Sequence, residues 1–251
     1  MFLTDSHIHL KALPISADVS KALLVSIDRS EWDMVCDFAK KSPSCIIPAF
    51  GTHPWFVSKV SQREEYLKQL WFYVQSFPNS LLGEIGLDSS KRHLNSFALQ
   101  EELFFDQFKL ANQLRRPISL HVVGEVSVSS LCQFLRAFPL CRPPSISLHS
   151  FTGSLTQLRQ LRNAFGEDTN VFLGVSQRLS GRLPLAKLHR LILEMPDNRI
   201  LIESDDEACN QTYISDLESV AGILSNCKNW DLAQSIINTH NNFLEFALCP
   251  Q

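Results

Sequence analysis

Two histidines two residues apart, His7 and His9, close a short apolar run that starts at Phe2. In an extended strand alternate side chains share a face, so both imidazoles point one way while Ile8 points the other. Neutral imidazole is the commonest protein ligand for transition metals, and a strand holds it more stiffly than a loop does. A lone His-x-His pair also arises by chance on an exposed strand, so the reading depends on whether ligands recur at later strand ends. They do recur. Glu84 lies within Leu81-Leu82-Gly83-Glu84-Ile85-Gly86-Leu87-Asp88, His121 ends Pro117-Ile118-Ser119-Leu120-His121, His149 ends Ser145-Ile146-Ser147-Leu148-His149, and Asp205 closes Arg199-Ile200-Leu201-Ile202-Glu203-Ser204-Asp205. Four histidines and two carboxylates exceed what one ion needs and suit a pair. A carboxylate has two oxygens, so Glu84 can bridge ions about 3.5–4 Å apart, the separation used by two-metal hydrolases. His7 and His9 then finish one site, and His121 and His149 the other. Asp205 ligates the first ion and takes a proton from the bridging water. Zinc, manganese, nickel and magnesium all stay open for such a mixed nitrogen and oxygen set.

Each residue also has a plainer reading. His121 and His149 fit satisfied core histidines, Glu84 fits a salt bridge to Lys91 or Arg92, and Asp205 sits in the acidic run 203–207, a pattern common in solvated loops. Against these stands the cost of burying a carboxylate in an apolar strand without a cation. His53, in Gly51-Thr52-His53-Pro54, is a candidate substrate contact or a strand terminator; Arg92, and after it Arg178 and Arg182, are candidate phosphate contacts. His93, His189 and His240 fall in helical patterns and receive no role.

These residues need a scaffold that brings strand ends together. Eight short apolar runs, near 2–9, 22–27, 45–50, 81–88, 117–121, 145–149, 170–175 and 199–205, alternate with segments of helical periodicity. Ser30 is the expected N-cap of the first helix, over Trp32 to Ala39; two helices, Tyr213 to Leu224 and Asp231 to Phe246, follow the last strand. The spacing predicts a TIM (β/α)8 barrel of one domain over residues 1–251, with a shortened first βα unit, in preference to an open doubly wound sheet. In such a barrel the carboxyl ends of the strands meet on one face, where catalytic groups assemble.

The 251 residues carry 23 Lys and Arg against 26 Asp and Glu, a formal charge of −3, so no broad basic surface argues for coating a nucleic acid. A metal-assisted phosphate site remains compatible with that balance. Seven dispersed cysteines without a Cys-x-x-Cys pair read as reduced thiols, and neither a signal peptide nor a membrane span is legible. The expectation is a monomer of the cytoplasm or nucleus, free of the membrane.

Asp5-Ser6-His7-Ile8-His9, Gly51-Thr52-His53-Pro54, Gly83-Glu84-Ile85-Gly86-Leu87-Asp88, the strands ending at His121 and His149, and Leu201-Ile202-Glu203-Ser204-Asp205 resemble, in order, the TatD family of metal-dependent deoxyribonucleases. The resemblance spans nearly the whole chain. It implies a TIM barrel, divalent metals, and hydrolysis of DNA phosphodiester bonds without sequence preference, with His7, His9, Glu84, His121, His149 and Asp205 as the metal set. The chain departs from the pattern at Ser89-Ser90, where aromatic residues are frequent, and at Ser204-Asp205-Asp206-Glu207. Those loops border the substrate, so amide, lactone or aminoacyl-ester hydrolysis, and an interaction protein that keeps the site, remain alternative readings.

Overall fold

Every expected strand forms. The computed structural model describes residues 3–12, 14–207 and 211–248. In it β1 (Leu3–His9), β2 (Val19–Val25), β3 (Ile46–Phe50), β4 (Leu81–Asp88), β5 (Ile118–Val123), β6 (Ser145–Leu148), β7 (Asn170–Ser176) and β8 (Ile200–Glu203) make one parallel sheet in chain order. Beyond β8 the chain returns to β1, Asp205 N donating to His7 O at 3.0 Å and His9 N to Asp206 O at 3.0 Å. These bonds close the barrel at its carboxyl end. Helices α1 (Trp32–Lys41), α2 (Arg63–Gln75), α3 (Phe97–Gln113), α4 (Glu125–Ala137), α5 (Leu155–Phe165), α6 (Leu185–Glu194) and α7 (Tyr213–Lys228) follow β2 to β8 in turn, and α8 (Leu232–Ala247) ends the fold. Between β1 and β2 there is only the 3-10 turn Leu10–Ala12, as the short spacing implied.

Several boundaries differ from the sequence reading: β5 runs past His121 to Val123, β8 stops at Glu203 ahead of Asp205, and two further differences have identifiable reasons. β2 starts at Val19, not Ala22, because Ser20 and Lys21 are only half-buried where they pair beside Leu3 and Thr4, and an apolar-run criterion discards them. Ser30 does not cap α1. Asp28 instead caps a 3-10 turn, Arg29–Glu31, its carboxylate accepting from Ser30 N at 2.8 Å, and α1 continues from there. The capping box on α5 is complete, Ser154 accepting from Gln157 N and Gln157 from Ser154 N.

The barrel interior is layered. Leu23, Val25, Ile47, Ala49, Leu81, Phe172 and Leu201 form a cluster with Phe243 and Phe246 of α8. Asn242 Nδ2 donates to the carbonyls of Asp197 and Ile200 at 2.8 Å each, and Ser145 Oγ donates to Phe246 O at 2.8 Å. Since Ser145 begins β6 and Ile200 begins β8, α8 lies across the amino end of the barrel and plugs it. Above that plug the strands carry small residues: a Cβ on Gly83 would lie 2.9 Å from Ser119 Cβ, and one on Gly174 would lie 2.3 Å from Glu203 Oε2. The space they leave is taken by Ser119 of β5 and Glu203 of β8.

Gly86 has a backbone reason to be glycine. It sits opposite His121 in the β4–β5 ladder with φ of 158°, and a Cβ there would fall 1.8 Å from His121 O. Gly86→Ala is therefore expected to destabilise the fold by ~1–3 kcal/mol, the range for forced overpacking. Urea unfolding measures it, and an unchanged midpoint would contradict this packing.

Five cysteines, 36, 45, 132, 141 and 227, are free thiols. Cys209, Cys249 and Phe2 lie outside the described residues. Among the described residues no helix is long and apolar enough to cross a membrane.

Candidate metal centre

The carboxyl face of the barrel gathers all six residues that the strand ends nominated. Glu84 stands at the centre, its two oxygens facing different partners. Oε2 lies 3.3 Å from His7 Nε2 and 3.8 Å from His9 Nε2, whereas Oε1 lies 2.8 Å from His121 Nδ1, 3.1 Å from His149 Nε2 and 3.3 Å from His53 Nε2. Asp205 Oδ1 completes the first side, 3.5 Å from His9 Nε2 and 3.9 Å from His7 Nε2. Among the described residues three sets have donor atoms close enough to share an ion: His7, His9 and Asp205; His7, Glu84 and His149; and His53, Glu84 and His121. His149 therefore stands nearer His7, the rings stacked at 3.8 Å, than a simple pairing with His121 suggests. His53, nominated as a substrate contact, lies inside the cluster, 3.2 Å from His121 Nδ1.

Local structure explains why these side chains converge. Beyond a bulge between Asp5 and Ile8, alternation along β1 puts His7 and His9 on the inner face, while Asp5 turns outward to Tyr213 of α7. Asp205 follows β8 with φ of 56°, a left-handed conformation that aspartate tolerates, and its carboxylate meets the histidines of β1. Ser119 Oγ, on β5, pairs with His7 Nδ1 at 2.9 Å and fixes the ring, leaving Nε2 buried without a hydrogen-bond partner. A buried imidazole nitrogen aimed at a carboxylate and satisfied by no donor fits a metal ligand, and the soft-to-borderline nitrogen donors with hard oxygens suit a divalent ion.

The electrostatics match a site made for cations. Burial alone would raise the pKa of Glu84, but His53, His149 and His121 outweigh it and hold the carboxyl well below its usual range. Burial likewise opposes ionisation of Asp205, and the charges of His149, His9 and His7 bring it down to about 2. Burial lowers the pKa of His7, with His149 adding to the effect, and takes His53 down to about 4. Both imidazoles are thereby neutral, the form that binds metal. His9, His121 and His149 overcome burial and are shifted up by the surrounding carboxylates, His149 most. The anions at the centre thus draw positive charge, from protons or from ions.

Arg92 is exposed in the β4–α3 loop and is not brought to the cluster; neither Arg92 nor Lys91 pairs with Glu84. Arg178 Nη1 donates to Asp205 O at 3.2 Å and lies 3.7 Å from the Asp206 carboxylate, while its Nη2 lies 3.7 Å from that of Glu207. A cavity of roughly 200 Å3 opens from the cluster, with Lys11 at its rim against Glu31 and Glu207.

Three buried acids were missed as site residues in the sequence. Glu203, fully buried, accepts from Ser150 N, from Ser150 Oγ at 2.8 Å and from Ser6 Oγ at 3.3 Å, and stands 3.4 Å from His149 Nδ1. Asp88 accepts from Trp55 Nε1 at 2.6 Å and lies 3.6 Å from His121 Nε2. Each carboxylate backs a histidine on the side away from the cluster's centre, an arrangement that sets ring orientation and raises ligand basicity. Asp5 accepts from His7 N at 3.1 Å, Ser204 N at 3.0 Å, Ser204 Oγ at 2.6 Å and Tyr213 Oη at 3.0 Å. Burial pushes its carboxyl up to about 7 in spite of these donors. A bulge in β1 turns Asp5 away from the face of His7 and His9, so local alternation carried no signal for it, and Glu203 lay within an acidic run.

The family profile described as TatD related DNase matches residues 4–247. The chain belongs to this family. Among curated relatives, the Cut9-interacting protein scn1 of Schizosaccharomyces pombe is 23% identical, the match covering 97% of this chain and 98% of that protein. The 3'-5' ssDNA/RNA exonuclease TatD of Cronobacter sakazakii is 27% identical over 76% of this chain and 68% of its own. Among solved structures, YJJV, a TatD homologue from Escherichia coli, superposes with a TM-score of 0.79 at 22% identity, covering 99% of this chain and 98% of that one. That likeness shows the TIM-barrel fold of the TatD chain described here, matching the expected architecture.

Proposed function

We propose that this TatD-family chain is a metal-dependent hydrolase of single-stranded nucleic acid, DNA foremost, that cleaves phosphodiester bonds with two divalent ions. The observation that carries the reading is the divided carboxylate of Glu84, one oxygen turned to His7 and His9 and the other to His121, His149 and His53. In this reading His7, His9 and Asp205 would hold one ion and His121 and His149 the other, with Glu84 standing between the two sets. Ions bound there supply Lewis acidity toward a phosphate oxygen and an activated water near neutral pH. Asp205, whose carboxyl is held low by the neighbouring histidines, would accept a proton from water. Ser119, Glu203 and Asp88 hold the imidazole rings in register while this happens. The exonuclease names of relatives such as the Cronobacter protein support a nucleic-acid substrate. The barrel acts as one unit over residues 1–251, and five free thiols fit a reducing compartment, cytoplasm or nucleus.

Metal content is the first test. Elemental analysis is expected to find close to two divalent ions per chain after incubation with zinc, manganese, nickel or magnesium and desalting. Chelation should abolish cleavage of labelled single-stranded DNA, and added metal should restore it. A chain that stays metal-free in excess zinc and manganese would refute the site. Running an aminoacyl ester beside DNA and RNA separates the ester-hydrolase reading on the same scaffold.

A second reading has its own observation. Nearly the full chain aligns with a relative named for its interaction with Cut9, so an interaction role, with the metal site kept inside, is the alternative. Cleavage of nothing by a fully metal-loaded chain would favour it.

A further inference from the structure

One face of the cavity is aromatic and unused by the chemistry above. Trp55 stands in the 3-10 turn Pro54–Lys59 that follows β3 and lines the cavity beside Phe56 and Ile27, opposite His9 and Asp205. It is 47% exposed, a large value for an indole next to a buried polar cluster. Its position is nevertheless fixed. His93 stacks on the ring at 4.7 Å with an interplanar angle of 12°, and Asp88 accepts from Nε1 at 2.6 Å. Both supports are braced in turn by Gln100, whose Oε1 accepts from Asp88 N at 2.8 Å and whose Nε2 donates to His93 O at 2.9 Å. His53 meets the indole edge-on at 4.7 Å, and His53 Nδ1 accepts from Trp55 N at 3.2 Å. A flexible surface tryptophan needs none of these restraints. A rigid, half-exposed ring beside a phosphate-cleaving centre has the features of a stacking surface, since every base offers a π-face and stacking tolerates sequence.

We propose that Trp55, backed by His93, is the platform on which the nucleobase next to the scissile phosphate stacks, making an unpaired base the feature that the enzyme recognises. This rests on the nucleic-acid reading above and adds the selecting group. The cavity beside Trp55 opens to solvent, so an unpaired base can reach the exposed ring. A base held in a double helix already stacks on its neighbours and presents no free face to the indole. Selection for single strands then follows from Trp55 without any base-edge contact, and sequence preference stays weak.

The test compares the wild-type chain with Trp55→Ala and Trp55→Phe, metals in place, on single-stranded oligonucleotides that carry either a base or an abasic sugar at the 3' terminus. Stacking of one base corresponds to roughly a 5- to 150-fold effect. Trp55→Ala should raise KM by that factor on the base-bearing strand with kcat within a few-fold. On the abasic strand it should match the wild type. Trp55→Phe keeps a ring but cannot donate to Asp88, so recovery of most of the affinity separates stacking from support of Asp88 and His121. Equal KM for all three proteins on the base-bearing strand, or an equal loss on the abasic one, overturns the proposal. The same comparison is read as binding, by fluorescence anisotropy on a cleavage-resistant phosphorothioate strand. If the wild type prefers the base-bearing strand and Trp55→Ala does not, the platform stands even where no cleavage occurs, and only the hydrolase reading falls. Absence of binding to either strand overturns both.

Discussion

Asp205→Asn is expected to lower turnover on single-stranded DNA by at least ~10², the lower range for a lost general base, while metal content falls only modestly. Asparagine keeps the shape and one oxygen that can ligate, but an amide accepts no proton at neutral pH. The aspartate it replaces is ionised, with a carboxyl brought down to about 2 by His149, His9 and His7. Glu84→Gln should behave differently, losing both ions and activity together, because the bridging charge between two histidine sets disappears. Metal stoichiometry and initial rates measured on the same preparations distinguish the two. Wild-type rates in Asp205→Asn, with the chelated control inactive, would remove the proton-transfer role.

Asp5→Ala is expected to cost ~3–5 kcal/mol of folding free energy, as loss of one side of a buried polar set does. His7 N, Ser204 N, Ser204 Oγ and Tyr213 Oη would all lose their buried acceptor between the sheet and α7. Those donors come from both sides of the β1–β8 seam and from α7, so the change strikes where the sheet closes. Asp5→Asn retains one acceptor oxygen and should lose less. Chemical denaturation followed by tryptophan fluorescence gives both values; a loss under ~1 kcal/mol for the alanine variant would show that the seam does not depend on this carboxylate.

The barrel was legible because parallel strands buried on both faces read as apolar runs, and the ligands stood out as polar interruptions of those runs at a constant place. Glu84, His121 and His149 are each such an interruption. Glu203 was hidden for the opposite reason. It belongs to a charge run, Glu203-Ser204-Asp205-Asp206-Glu207, and only the cavity left by Gly174 on a neighbouring strand decides that its first member is buried. His53 follows its strand in a loop, so no alternation within an apolar run carried it to the centre. The helical pattern of α8 announced an apolar face but not that Phe243 and Phe246 fill the amino end of the barrel. Such placements arise from pairing across long sequence separations, which local patterns do not encode.

The seam between β1 and β8 also sets when the protein becomes competent during its synthesis. His7 and His9 lie on β1, yet the carboxylate that completes their set comes from Asp205, behind β8, and the helix that plugs the barrel follows it. A ribosome must deliver β8 and the segment behind it before β1 finds its second partner, so the earlier strands wait with an unpaired edge that invites association. The histidines meanwhile face no organised cavity. The set of His7, His9 and Asp205 is therefore completed only with barrel closure, and a chain interrupted before β8 lacks it.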